Sequence, residues 1–326
     1  GYAPDGWTGL VTHLRRQGVT DTEMLAVGVA TTTASTGHLI DRFRDRVVFP
    51  ITHRGQILGF VGRRNPQYSD DDQHGPKYLN TPDTPLFHKG AQLFATGDPD
   101  GDATPVLVEG PMDAIAVTLA TSGKAIGLAP LGTSLTDEQA AQLHALGRPP
   151  VIATDSDHAG QNAAARDFWI LTPFGTDPLH AALPAGSDPA DLAATVPNEL
   201  KTAIEAARPL ANTLIKAVMD ARPEPAAILD ALRIIAARPS AAWPTDIERV
   251  AEQSQTPTAL LRAALVPLVH SWNTDARRAA QQGTSEGTFI DLDPTVLDAE
   301  AHGQTSRHSA RDHVQPCSVA QAGPAP

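Results

Sequence analysis

From residue 104 onward the apolar positions follow a repeating scheme: a short continuous apolar run, a turn, then a longer stretch whose apolar residues recur at helical spacing. "PVLVEGPMDAIAVTLATSG" reads as a strand, a glycine turn and a helix with Pro111 at its first position, where the missing amide costs nothing. "AIGLAPLGTSLTDEQAAQLHALG" repeats the scheme, with Thr136 and Gln139 spaced as a capping box for the second helix. "PPVIATDSDHAGQNAAARDFWIL" repeats it once more. Apolar strands without polar alternation, each followed by a helix, predict a mostly parallel sheet covered on both faces. In such sheets ligands collect beyond the carboxyl ends of the strands. Glu109, Asp155 and Asp157 fall there.

The flanking patterns differ. Residues 7–27 predict two short helices, ending at Gly18 and Gly28, each behind a capping residue. "DRFRDRVVFPITHRGQILGFVGRR" then sets Arg42, Arg44 and Arg46 on alternate positions ahead of the strand "VVFPI". It turns at "HRG" and runs into a second strand ending at Arg63 and Arg64. Alternation places the first three arginines on one face, which taken alone reads as a solvated edge strand. "HGPKYLNTPDTPLFHKG" is a loop punctuated by proline and glycine that carries Lys77, Asn80 and Lys89 with Tyr78 and Phe87. Cations interleaved with rings suit a nucleotide strand as well as a connector. After "LPAGSDPADLA" helices are predicted at 197–219, 224–237, 244–253 and 257–271. Beyond Trp272 periodicity stops and the composition turns polar, which predicts a disordered tail or linker. The expected organisation is a basic α+β subdomain over 1–95, incomplete at its start, an α/β domain over 96–196, a helical subdomain over 197–272 and a tail over 273–326.

Composition narrows the class. A hydrophobic content of 41% in 326 residues is enough for proper cores. No run approaches the roughly 18 apolar residues of a membrane span, and no signal-peptide pattern opens the chain, so the expected location is cytoplasmic. The chain starts at Gly1 and enters a motif at once, which suggests a fragment of a longer protein. One cysteine, Cys317, excludes a disulfide framework and any zinc site of paired cysteines. The net charge of −12 argues at first against nucleic acid, because phosphate binding depends on Lys and Arg. Its distribution weakens that objection: up to residue 95 there are ten Lys/Arg against nine Asp/Glu, leaving fifteen against twenty-eight for the rest.

The acidic part is where a divalent cation would need ligands. Mg²⁺ takes oxygen donors and leaves positions for water and substrate phosphate. Asp155 and Asp157 can reach one site only if the chain leaves extended geometry at Ser156, since strict alternation aims them apart. Asp113, in the first turn of the helix after Glu109, would lie near the same crevice. A single acidic residue in such a place reads first as a helix cap or macrodipole partner. Glu109, Asp113, Asp155 and Asp157 together, on strands of one sheet, read as a cation site.

"VLVEGPMDAIAVTLA", "LGTSLT" and "TDSDHAG" resemble the successive motifs of a TOPRIM domain. Upstream, "GYAPDGWTGLVTHL", "DRFRDRVVFPI", "GQILGFVGRR" and "PKYLNTPDTPLFHKG" resemble the blocks of DnaG-type primases in order and spacing, over residues 1 to about 215. The resemblance implies a TOPRIM-type, mostly parallel α/β sheet flanked by helices, preceded by a mixed α+β basic subdomain and followed by a helical one. It implies synthesis of short RNA primers on single-stranded DNA from nucleoside triphosphates, with Mg²⁺ or Mn²⁺. Glu109, Asp155 and Asp157 would be catalytic, and Glu109, Asp113, Asp155, Asp157, Asp188 and Asp191 would serve the metal. Arg42, Arg44, Arg46, Arg63, Arg64, Lys77, Asn80 and Lys89 would meet template and nucleotide, Lys77 and Arg63 foremost. A replicative helicase, or conjugation and replication proteins, would be partners.

Several positions depart from the family pattern. Pro111, Ser156 and His158 stand where Tyr, Gly and Arg are common. The third acidic motif reads "SDPADL", with Ala190 at the expected aspartate and Asp191 one residue late. Such departures suit a primase encoded on a plasmid or mobile element. Two other readings share these residues: a TOPRIM nuclease using water as nucleophile, and a catalytically silent DNA-binding module of a larger replication or conjugation protein.

Overall fold

A computed structural model describes residues 1–68, 75–221 and 225–282. The expected tail from 283 onward lies outside the described residues.

The chain opens with β1 (Tyr2–Ala3), α1 (Gly9–Arg16), α2 (Asp21–Ala26) and a ribbon of β2 (Ala30–Thr32) and β3 (Leu39–Asp41). Both predicted helices form. α2 starts on a capping box of Thr20 and Glu23, and the chain leaves it through Gly28 at φ +69°. α1 has no side-chain cap from Thr8. Asp41 serves instead, its two carboxylate oxygens accepting the amides of Leu10 and Val11 at 2.8 Å each. β4 (Arg46–His53) and β5 (Gln56–Arg64) follow, then β6 (Tyr78–Asn80). With β1 they form an antiparallel sheet in the order β1-β4-β5-β6.

The second part runs β7 (Leu93–Ala95), β8 (Thr104–Leu107), α3 (Pro111–Ala120), β9 (Ala125–Pro130), α4 (Asp137–Ala145), β10 (Val151–Ile152) and α5 (His158–Leu171). It continues through β11 (Leu179–His180), α6 (Pro189–Thr195), α7 (Pro197–Glu205) and β12 (Arg208–Pro209). The sheet order is β12-β11-β10-β8-β9-β7. Its four central strands are parallel, and β7 and β12 are antiparallel edges. The α/β class expected from the repeating pattern is the one observed.

Successive residues of each strand serve opposite faces. Leu107 and Ile152 face α4 and α5, packing with Leu143 and Phe168. Val106 and Val151 face the other side, with Ala114 and Val117 of α3 and Leu200 of α7. Ile51, Val61 and Phe87 from the first part join this second cluster, so the two sheets share one core. Each such fully buried side chain contributes roughly 1.5–3 kcal/mol. Two close approaches are made by bare backbone, one between α3 and β9 and one between α5 and the turn after β10. A Cβ on Gly127 of β9 would collide with the backbone of Ala114, and one on Gly160 of α5 would collide with that of Asp155.

The helix expected over 197–219 is two helices, α7 and α8 (Leu210–Ala221), because Pro209 cannot continue the ladder and the chain spends Arg208–Pro209 as β12. α9 (Ala226–Ala236), α10 (Trp243–Ser254) and α11 (Thr258–Gln282) complete the helical part. α11 carries helix through residues 273–282, which the sequence assigned to the tail. Arg238, after α9, pins this part to the sheet: its guanidinium pairs with Asp177 at 2.8 Å and with Asp246, and Arg249 meets Asp246 at 3.1 Å. Among the described residues no helix is long and apolar enough to cross a membrane.

Candidate active site

The acidic residues gather where the parallel strands end. Glu109 lies two residues beyond β8 and Asp155 three beyond the neighbouring β10, and the Asp155 amide donates to Glu109 Oε1 at 3.3 Å. Asp113 stands in the first turn of α3, where its Oδ1 accepts the amide of Ala190 at 3.3 Å. Burial raises the Asp113 carboxyl to about 6, with the charges of Asp188 and Glu109 adding to the effect and the amide bonds opposing it. Burial also raises Asp155 to about 7, assisted by Glu109, Asp113, Asp188 and Asp157 in that order. Four carboxylates thus converge on Asp155.

The remaining three expected ligands are placed differently. Asp157 is exposed and N-caps α5, its Oδ1 accepting the Gly160 amide at 2.8 Å. It is the weakest contributor at Asp155. Asp188 likewise N-caps α6, accepting the Asp191 amide at 2.6 Å, yet its charge is felt at both Asp113 and Asp155. Asp191 is exposed, and its charge is not among those that raise either group. Among the described residues no three His, Cys, Asp or Glu form a ready metal-binding group. The donor chemistry nevertheless fits a hard divalent cation: the carboxylates of Glu109, Asp113, Asp155 and Asp188 act on one another, and burial together with that repulsion raises Asp113 and Asp155, a combination that a cation offsets.

The basic residues divide into two sets. Arg46 and Arg64 are partners across β4 and β5, 3% and 5% exposed, and both turn inward. Arg46 donates to the carbonyl of Pro76 at 2.8 Å, and Arg64 to that of Gly75 at 2.6 Å. Arg42 spends its guanidinium on the Asn80 carbonyl, at 2.9 and 2.7 Å. Arg44 donates to the Asp41 carbonyl and lies 4.4 Å over the Trp7 ring. These four arginines therefore do not share one solvated face: Arg42, Arg46 and Arg64 fasten β6 and the residues leading into it, and Arg44 braces Asp41 and Trp7. Lys77 and Lys89 are exposed. Arg63 lies 5.0 Å over the ring of Tyr78. Asn80 donates to the Leu131 carbonyl at 2.7 Å, tying β6 to the end of β9, while its buried Oδ1 has no partner.

Tyr78 links the two sets, a role its sequence position did not reveal. Its hydroxyl would sit 3.6 Å from a Cβ on Gly110, beside Asp113 Oδ2 at 3.3 Å from the same point. Burial raises this phenol, and the nearby Arg63 cation opposes the rise. Asp167 on α5 is a second group not foreseen. Burial raises it to about 7, Arg166 opposes the rise and Glu109 adds to it. Nothing in the local pattern marks it, because helical spacing does not say which carboxylate approaches another strand's end. A third feature not foreseen is the contact made by Ser156, whose side chain holds the backbone of Ser187.

A mostly parallel sheet with carboxylates beyond the ends of adjacent strands is the arrangement of the TOPRIM class of metal-dependent enzymes. Residues 1–98 match the family described as the N-terminal domain of the DNA primase catalytic core, and residues 106–193 match the family described as Toprim-like. A DNA primase of Deinococcus radiodurans is 41% identical over 199 residues, covering 59% of this chain and 33% of the relative. A DNA primase domain of Pseudomonas aeruginosa superposes with a TM-score of 0.65 at 31% identity, covering 83% of this chain and 86% of that one. A DnaG primase catalytic domain bound to ssDNA gives 0.63 at 30% identity, covering 78% and 81%. The chain belongs to the family of DnaG-type primase catalytic cores. It spans about a third of the length of the curated relatives it matches.

Proposed function

We propose that this chain is the RNA-synthesising core of a DNA primase, joining nucleoside triphosphates on a single-stranded DNA template. The observation that carries the reading is the crevice in which Glu109, Asp113, Asp155 and Asp188 act on one another while Tyr78 and Arg63 border the same helix start. On this reading Glu109 and Asp155 are the principal catalytic carboxylates, with Asp113 and Asp188 beside them. Asp157 contributes from its capping position. They would hold Mg²⁺ or Mn²⁺, which when bound neutralises triphosphate charge and makes a sugar hydroxyl a better nucleophile.

The chain's own residues supply position. Lys77 and Lys89, both exposed, and the half-buried Arg63 lie on or beside the loop that leads through β6 and suit phosphates of template and nucleotide. Arg42, Arg46 and Arg64 set the shape of the loop that presents Lys77, Tyr78 and Asn80. The similarity to a catalytic domain solved with ssDNA supports a single-stranded template.

The test is incubation with single-stranded DNA, Mg²⁺ or Mn²⁺ and labelled nucleoside triphosphates, alongside Glu109→Gln and Asp155→Asn. Short RNA products that vanish in both variants are expected. Degradation of the template in place of synthesis would make the chain a nuclease, and salt-sensitive binding with no product would make it a silent module.

A further inference from the structure

We propose that Ser156 is a positioning residue that latches the third acidic segment onto the cation crevice. The proposal rests on the reading of the crevice as a cation site. Ser156 sits between Asp155 and Asp157, in the turn that leaves β10. Its Oγ donates to the carbonyl of Ser187 at 3.1 Å and accepts the amide of the same residue at 2.9 Å. Its own amide donates to that carbonyl at 3.2 Å. The Ser187 amide also meets the Pro184 carbonyl at 3.2 Å, so the loop's internal turn and the serine share it.

The consequence lies one residue further on. Ser187 precedes Asp188, which caps α6, and the same turn docks on the crevice through the Ala190 amide, which donates to Asp113 Oδ1 at 3.3 Å. Left to electrostatics, the segment carrying Asp188 would swing away from the carboxylates of Asp113 and Asp155. The side-chain bonds of Ser156 oppose that motion and hold Asp188 at the crevice before any cation arrives. A glycine at 156 keeps only the backbone bond. The hydroxyl therefore compensates in part for Ala190, which puts no carboxylate where the sequence pattern expects one. Ser156 needs no contact with the cation; it acts through Ser187 on Asp188, in the way outer partners of a metal site fix the ligands themselves.

The experiment compares wild type with Ser156→Ala, Ser156→Gly and Ser156→Thr. Mn²⁺ binding is followed by calorimetry or by the Mn²⁺ magnetic resonance signal, and folding by thermal melting. Thr176→Val, which removes the hydroxyl that meets His144 Nδ1 at 3.2 Å away from the crevice, is the control for loss of an ordinary hydrogen bond. Ser156→Ala and Ser156→Gly are expected to weaken Mn²⁺ binding by about tenfold or more, Ser156→Thr to restore it, and Thr176→Val to leave it unchanged. Mn²⁺ binding by Ser156→Ala equal to that of wild type overturns the latch. So does equal weakening in Thr176→Val, which would show a general loss of fold. Wild type that binds Mn²⁺ yet makes no RNA contradicts the primase reading and leaves the latch judged on its own binding data.

Discussion

The backbone amide of Ala190 donates to Oδ1 of Asp113 at 3.3 Å, across the junction of α6 and α3. A carboxylate at residue 190 would stand beside one that burial already raises to about 6. Ala190→Asp is therefore expected to tighten Mn²⁺ binding by about tenfold while costing the cation-free chain on the order of 1 kcal/mol, the scale of a like-charge pair in a partly polar surrounding. Calorimetric titration and metal-free melting check both halves. Unchanged binding would place residue 190 outside the cation's reach.

The crevice predicts how stability follows pH. Asp155 and Asp113 titrate near 7 and near 6 in the folded chain, above the 3.8 from which each starts. Across this window the folded state keeps protons that the unfolded chain has released, so stability falls as pH rises from about 4 to 7. Without metal, the melting temperature is expected to drop between about pH 4 and pH 7, and Asp155→Asn to flatten that drop. Added Mg²⁺ should recover most of the loss at the upper end, because the cation then stands where the protons were. A variant curve parallel to that of wild type would mean that another group is responsible.

Arginines of one short segment should separate by role. Arg46→Gln leaves the carbonyls of Pro76 and Gly62 without their donor and removes a buried side chain, and is expected to lower stability by about 2 kcal/mol or more. Arg63→Gln should leave melting nearly unchanged, weaken single-stranded DNA binding and reduce its salt slope by about one. Urea unfolding and binding at several salt concentrations distinguish the two. Equal stability loss in both variants would refute the division.

Arg238 offers a test of how the helical part is attached. It pairs with Asp177, in the loop that leads into β11, and with Asp246, which is 1% exposed. Arg238→Met strips both, although Arg249 still reaches Asp246. The expected cost is about 3 kcal/mol, because a buried charge loses its main partner. Adding Asp246→Leu should recover part of it, since the unpaired charge goes too. Denaturant unfolding of the single and double variants measures this.

The repeating strand and helix pattern was legible because each unit carries its own chemistry: β8 is apolar and buried after Thr104, β9 is apolar throughout, and Thr136 and Gln139 form the capping box their spacing predicts. β12 was not legible. Two residues between alanine-rich helices are too few to show a period, and pairing with β11 is a tertiary fact. The same holds for α1, whose cap is Asp41, thirty residues downstream in another element. At the site, residue types could be read but destinations could not. The alternating arginines suggested one wet face, yet Arg46 heads a strand and points into protein, because the carbonyls of residues 75–77 need donors. Asp113 and Asp155 were found by position. Tyr78, Asp167 and the bond from Ser156 to Ser187 depend on folding back across long separations, which local spacing does not encode.

Gly127 and Gly160 give the crevice an unusual kind of tolerance. The helix that bears Asp113 lies against Gly127, and the turn that bears Asp155 lies against Gly160, with no side chain between. The spacing of the carboxylates is thus gauged by main chain against main chain, a dimension that drift in the apolar residues around it does not rescale. Leucines and valines of the core can be exchanged over generations without moving the acids apart. A single methyl at either glycine would shift a whole helix, so the tolerance of the surrounding core rests on two positions that can vary hardly at all.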